Sequence, residues 1–102
     1  MFHYALAVNI KFKSAMISWR GPSPFYFIPI PQSQSKKIKA LAAQLTYGWG
    51  VIPVAGKIGK TEFTTALIPK DGIYLVPIKN QVRFAESIEL GDETSVQISL
   101  GS

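Results

Sequence analysis

Gly59-Lys60-Thr61, with Gly56 just upstream, are the residue types that end a phosphate-gripping loop, in which backbone amides and a lysine close around the phosphates of a nucleotide. That loop needs the spacing G-x-x-x-x-G-K-[ST] between a strand and a helix, so that the start of the helix adds its positive dipole. Counted back from Gly59, the first glycine belongs where Val54 stands, and Gly56 comes two places late. The segment after Thr61, EFTTALI, alternates like a strand. Gly59-Lys60 therefore reads as a two-residue hairpin turn in which glycine permits a positive φ, and a nucleotide-hydrolase site is set aside.

Other catalytic chemistry finds little material. His3 is the only histidine and there is no cysteine, so neither a Ser-His-Asp triad nor a multi-histidine or thiolate metal site can be assembled. Glu86, Glu89, Asp92 and Glu93 crowd together late in the chain and can be drawn as a cation site, but a helix end and a Gly-Asp turn are also where ordinary surface acids gather. Glu62 and Asp71 fall at strand starts and turns and make no acid and base pair. No catalytic residue, metal-ligand set or cofactor motif emerges, and catalysis is the weaker reading.

Aromatic and basic residues are more suggestive. Trp19 with Arg20, Phe25 and Tyr26, and Tyr47 with Trp49, form groups in which rings flanked by cations can stack on bases or apolar ligands. In so small a domain most such rings belong to the core. The net charge of +5 is unevenly spread: residues 1–60 carry eight Lys or Arg and no acid, whereas residues 61–102 carry three bases and six acids. A basic face of this kind attracts nucleic acid or another anionic surface. Lysines on a half-buried sheet also keep it soluble and guard its edges.

These residues need elements to hold them. IKFKS alternates, with Ile10 and Phe12 on one side and Lys11 and Lys13 on the other, which predicts a strand with one wet face. The apolar phase then passes to Ala15, Ile17 and Trp19, which predicts a bulge near Ser14. RGPSP is a rigid loop and FYFIPI a short aromatic strand. In QSQSKKIKALAAQL, Ile38, Leu41, Ala42 and Leu45 take helical spacing, with Ser33 or Ser35 available as a cap and Lys36, Lys37 and Lys39 off the apolar stripe. TYGWG ends that helix. VIPVAGKI is a strand whose Pro53 asks for an edge or a split in the sheet, and TEFTTALI is the next strand. PKDG reads as a turn by composition, with its proline and its final glycine, IYLVPI as a strand, KNQVRFAESI as a short helical turn, LGDE as a tight turn and TSVQISL as a closing strand.

The pattern is mainly β, with one long and one short helix. A faint internal echo runs through it. FIPIP, a basic helix and a strand are repeated as LVPIK, NQVRFAESI and LGDETSVQISL, and laying Pro29 on Pro77 places Pro31 on Lys79. Such a repeat can form two halves of one barrel about a pseudo-twofold axis.

Length and composition agree. At 102 residues, 47% hydrophobic and 17% charged, the whole chain, 1–102, reads as one folded domain with a single core. MFHYALAVNI is too short to span a membrane and lacks a cationic head, and it reads as a leading strand or frayed end. No run of about 18 apolar residues occurs, so no transmembrane helix and no membrane partner are expected, and the cytoplasm is the default location.

SWRGPSPFYFIPIP, TYGWGVIPV, IGKTEFTTALIPKDGIYLVPIK and VRFAESIELGD, in that order, strongly resemble the bacterial and archaeal domain-of-unknown-function 1905 family, over about residues 12–100. The first nine residues lie outside the family pattern. The chain departs from it at Ala66, where serine is usual, and at Phe84, where lysine is common. The resemblance implies a small split (double-split) β-barrel capped by helices, similar to the swapped-hairpin barrel of AbrB-type transcription regulators. In those regulators two chains each donate a half, whereas the echo implies that one chain here holds both and closes its barrel as a monomer. The family brings no established activity and no recognised catalytic residues.

The expected function is a noncatalytic binding or interaction module with a basic first half. Arg20, Lys36, Lys37, Lys79 and Arg83 are its candidate charges, and Trp19, Tyr47 and Trp49 its candidate stacking surface. Nucleic acid is the partner that the AbrB analogy suggests, and fold analogy alone is a weak warrant. The rival is a small-molecule binder or enzyme with a pocket near RGPSPF and YGWG, and a third reading is a purely structural role.

Overall fold

A computed structural model of the chain describes residues 8–19, 25–44 and 52–100. These form β1 (Val8–Ala15), β2 (Ile17–Trp19), β3 (Phe25–Pro29), α1 (Gln32–Gln44), β4 (Ile52–Ile58), β5 (Thr61–Lys70), β6 (Ile73–Ile78), α2 (Asn80–Ala85) and β7 (Glu93–Leu100). All strand pairs are antiparallel, in the order β1-β7-β4-β5-β6-β3-β2. The fold is mainly β, a curled half-barrel sheet with two helices.

The curl is built by strands that change partner along their length. β5 pairs with β4 over Thr61–Leu67 and then with β6 over Ile68–Lys70. At the far side, β1 pairs with β7 and β2 with β3, and only Met16 separates the two. The two ends of the strand order are therefore successive pieces of chain, and the sheet turns back on itself through Met16. Met16 is buried, and it is pinned there by two backbone bonds to the turn before β7: its N–H donates to Asp92 O at 3.2 Å, and its carbonyl accepts from Gly91 N at 2.9 Å.

The internal echo corresponds to a real arrangement. β3 pairs antiparallel with β6, centred on Ile28 and Val76, and β4 pairs antiparallel with β7, centred on Gly56 and Ile98. Each strand of one strand-helix-strand unit thus lies beside its counterpart. Pro31 immediately precedes α1 and Lys79 immediately precedes α2, the equivalence that laying Pro29 on Pro77 requires. The first helical bonds match as well, Ser35 N to Pro31 O and Arg83 N to Lys79 O.

Alternation explains what each strand buries. Ile10 and Phe12 of β1, Val54 and Ile58 of β4, and Val96 and Ile98 of β7 face one core, joined by Ile38 and Ala42 from α1 and Val82 from α2. Phe27 and Leu75 are buried apart from this core, where the Trp19 ring packs on Phe27 at a centroid distance of 4.5 Å. Pro53 sits in β4 beyond the Ala55–Lys57 stretch that pairs with β7, so its missing N–H falls at the split in the sheet.

Three local expectations change. The β1–β7 register runs unbroken from Val8 to Ala15, so there is no bulge at Ser14; the phase breaks at Met16, where the chain leaves β7 for β3. Pro69 and Lys70 belong to β5, and the turn is Asp71-Gly72, both at positive φ (53° and 86°), the type I′ arrangement that matches strand twist. Helix α1 starts at Gln32, upstream of both serines, and Ser35 is no cap: its buried hydroxyl donates to Ile30 O at 3.0 Å and accepts from Tyr74 N at 3.1 Å. Gly59-Lys60 is the two-residue hairpin turn expected, with Gly59 at φ 58° between the paired Ile58 and Thr61.

Candidate functional site

The outward face of β1, β7, β4 and β5 collects side chains in rows set by the register. Lys11 lies opposite Gln97, Gln97 opposite Lys57, and Lys57 opposite Glu62. The next row holds Asn9, Ser99, Ala55 and Thr64, and on the other side Lys13 faces Ser95. With strands about 4.8 Å apart, Lys11 and Lys57 stand about 10 Å from each other across Gln97. The Ser99 hydroxyl donates to Asn9 Oδ1, fixing one end of the polar row. A shallow depression of about 570 Å³ lies between Lys11, Lys13, Lys57 and Gln97.

This face carries more cations than acids: Glu62 stands opposite Lys57 at the end of the row and Glu93 lies beyond Lys13, and neither forms an ion pair with them. Among the described residues the ion pair is Lys70 with Asp71, at 3.9 Å and exposed, and no carboxylate of those residues comes within salt-bridge distance of Lys11, Lys13 or Lys57. Among the described residues, the outward positions of these strands carry amides and hydroxyls and no aromatic ring, so they can meet anionic oxygens and offer no ring for stacking on a base.

Two further groups lie elsewhere. Lys36 and Lys39 of α1 border the β5–β6 hairpin, where Lys70 Nζ stands 4.7 Å above the centre of the Trp19 ring. On α2, the Arg83 guanidinium packs 3.8 Å from the centre of the Tyr26 ring and 5.3 Å from that of Phe84, and donates to Asn80 Oδ1 at 2.9 Å. Arg83 is thereby spent on packing α2 against β3.

The residues singled out from the sequence are thus divided. Trp19 lies under Lys70, Lys36 borders the β5–β6 hairpin from α1, Lys37 is exposed on α1, and Lys79 and Arg83 sit at the start and in the last turn of α2. Arg20, Tyr47 and Trp49, with the RGPSP and YGWG segments and His3, lie outside the described residues. Sequence reasoning passed over Lys57 and Lys70 and left Lys11, Lys13 and Lys39 as solvated faces. Alternation gave the wet side of β1, but only the β1-β7-β4 order brings Lys57 beside it.

No helix among the described residues is long and apolar enough to cross a membrane. Among those residues no group of three or more acidic or histidine side chains is placed to hold a metal ion. None of the curated proteins compared with the chain matches it. Residues 12–98, almost the whole chain, match the family described as a domain of unknown function, DUF1905, and the protein belongs to that family.

Proposed function

We propose that the protein is a noncatalytic module that contacts nucleic acid through its phosphates, using the outward face of β1, β7 and β4. The observation that carries this reading is the row Lys11, Gln97, Lys57, with Lys13 beside it: three ammonium groups on a rigid sheet, with Glu62 at the end of the row and no described carboxylate within salt-bridge distance of them. Such a face binds backbone charge and reads no base, because bases are read by stacking or by hydrogen bonds to their edges. The resemblance to AbrB-type barrels favours nucleic acid over other polyanions, as an analogy of fold. An intracellular, cytoplasmic place goes with that partner. The presence of both strand-helix-strand units in one chain supports action as a monomer, and sedimentation at one chain's mass over a hundredfold dilution range is the expected outcome.

Titration of a fluorescent DNA duplex at low and moderate salt tests the reading. Three neutralised phosphates give a slope of about −2.7 in log K against log salt, or about 40-fold weaker binding for a fourfold rise in salt. K11Q/K13Q/K57Q abolishes both the binding and the slope. No binding at low salt, or a triple variant that binds like the parent, sinks the proposal.

A further inference from the structure

The large apolar side chains that the described residues leave exposed, Ile17, Phe25, Phe84 and Leu90, gather around one strand. β2 ends the strand order, and among the described residues it pairs with β3 alone. Ile17 belongs to β2, and Phe25 lies opposite Trp19 across the β2–β3 pair. The bond from Gly91 N to Met16 O brings the backbone of Leu90 beside that of Ile17. Phe84 flanks the Arg83 guanidinium, which stacks on Tyr26, and Tyr26 is the partner of Ser18. An edge strand carries N–H and C=O groups ready to pair with another backbone, and proteins commonly guard such an edge with charge. The exposed residues of β2 are Ile17 and Ser18, neither of them charged.

The two sides of this edge differ. By register Ile17 and Trp19 face outward with Phe27 and Phe25, an apolar surface, whereas Ser18 faces the side of Tyr26 and Arg83. The stack on Tyr26 occupies a face of the Arg83 guanidinium, and Nη1 donates to Asn80 Oδ1. The charge itself is unpaired: no carboxylate of the described residues comes within salt-bridge distance of Arg83, and its buried Nε has no hydrogen-bond partner. Side chains of an added strand alternate between the two sides of a sheet. A segment that reads apolar, acidic, apolar lays its apolar side chains outward, beside Ile17 and Trp19, and turns its carboxylate to the side of Arg83.

We propose that the open edge of β2 takes up an extended segment of a partner protein with this pattern, as an added strand. Neither a lipid surface nor a stacked base matches the backbone groups of the edge, and Arg83 calls for an acid. A second copy of this chain fits less well, because a twofold pairing through Ser18 sets two Arg83 side chains on the same side of the joined sheet, like charge beside like. The edge shares no residue with the Lys11, Lys13 and Lys57 row, so each proposal can fail without the other.

The probe is a peptide with Thr-Val-Glu-Val-Thr at its centre and serine-rich ends, compared with the same peptide carrying Gln or Lys in place of Glu. Calorimetry and amide chemical shifts on the full chain follow its binding. The expected result is a saturable shift of the Ile17, Ser18 and Trp19 amides, with Gln weakening binding about tenfold or more, the loss of a charge-assisted contact, and Lys weakening it further. I17K changes an exposed side chain and abolishes binding, whereas K11Q/K57Q binds as the parent does. R83Q binds the Glu and Gln peptides equally, a comparison that stays valid if the variant loosens α2. The proposal is overturned if the peptide binds nowhere at millimolar concentration, if its shifts map away from β2, if the Glu and Gln peptides bind the parent equally, if R83Q still prefers Glu, or if I17K binds like the parent. A dimer in sedimentation that I17K abolishes assigns the edge to a second copy and overturns the partner assignment.

Discussion

Glu86 holds Thr61 across 25 residues: its Oε2 accepts the threonine hydroxyl at 2.5 Å and, in addition, the backbone N–H of Lys60 at 3.3 Å. The Gly59-Lys60-Thr61 turn, which shares its letters with a phosphate loop, thus already has an anion bound to it, and that anion is the protein's own carboxylate. The contact joins the tip of the β4–β5 hairpin to the end of α2. It also explains a second demand on Gly59, whose φ is positive and where an added Cβ would stand 2.1 Å from Glu86 Oε1.

Removing either partner is expected to loosen the tip without unfolding the sheet. T61V and E86A each cost about 1.5–3 kcal/mol, the range for a hydrogen bond to a charged group. The double variant costs less than the sum of the two, because the bond between Thr61 and Glu86 can be lost only once. Chemical denaturation of the four proteins measures this, and strict additivity removes the contact from the account. G59A costs about 1–2 kcal/mol from the positive φ alone, and more where Glu86 must swing away.

Ser35 offers a sharper test, because its hydroxyl is buried and serves two backbone groups. S35A leaves the Tyr74 N–H without its partner in a place water does not reach, and the expected loss is about 1–3 kcal/mol. S35T retains the hydroxyl but adds a methyl group in a packed site. Faster exchange of the Tyr74 amide in S35A, with the Val76 amide unaffected, separates loss of this bond from general softening.

The distribution of successes between sequence and structure has a physical pattern. Features set by neighbours along the chain were legible: the alternation of Ile10, Lys11, Phe12 and Lys13, the helical spacing of Ile38, Leu41 and Ala42, and the turn at Gly59-Lys60. The family resemblance carried the barrel, and the internal echo the equivalence of Pro31 with Lys79. Features set by partners far away were not legible. The bend at Met16 depends on Asp92 and Gly91, and it shifts the apolar phase as a local bulge does, so the two look alike in one dimension. Ser35 has the residue type of a cap and is drawn inside the helix by Ile30 and Tyr74. The row Lys11, Gln97, Lys57 exists only because β7 lies between β1 and β4.

Gly56 marks a close approach within the sheet. It is buried opposite Phe63, and an added Cβ would fall 2.5 Å from the ring's Cζ and 2.6 Å from Cε2. G56A is therefore expected to push the ring off β4 and to cost about 1–3 kcal/mol, the range for overpacking. Shortening the ring makes room, so G56A/F63L is expected to be more stable than G56A alone, although F63L by itself destabilises. A thermal melt series of the three variants and the parent checks the sign. If F63L and G56A simply add, the glycine is not there for the ring.

Tyr74 gives the fold an alkaline limit. Burial raises the pKa of its phenol above the ordinary 10.0, because the charged phenolate is poorly solvated between α1 and β6. Up to about pH 9 the phenol is neutral in both folded and unfolded chains and contributes no pH dependence. Above pH 10 the unfolded chain releases the proton first, the folded chain holds it, and stability falls by up to about 1.4 kcal/mol per pH unit until the raised value is passed. Other side chains also titrate in this range, so the difference between the parent and Y74F is the informative quantity. It is expected to be flat below about pH 9 and to close or reverse above it, with the parent losing stability faster. Parallel curves at all pH values contradict a buried, neutral Tyr74, whatever the absolute stability of either protein.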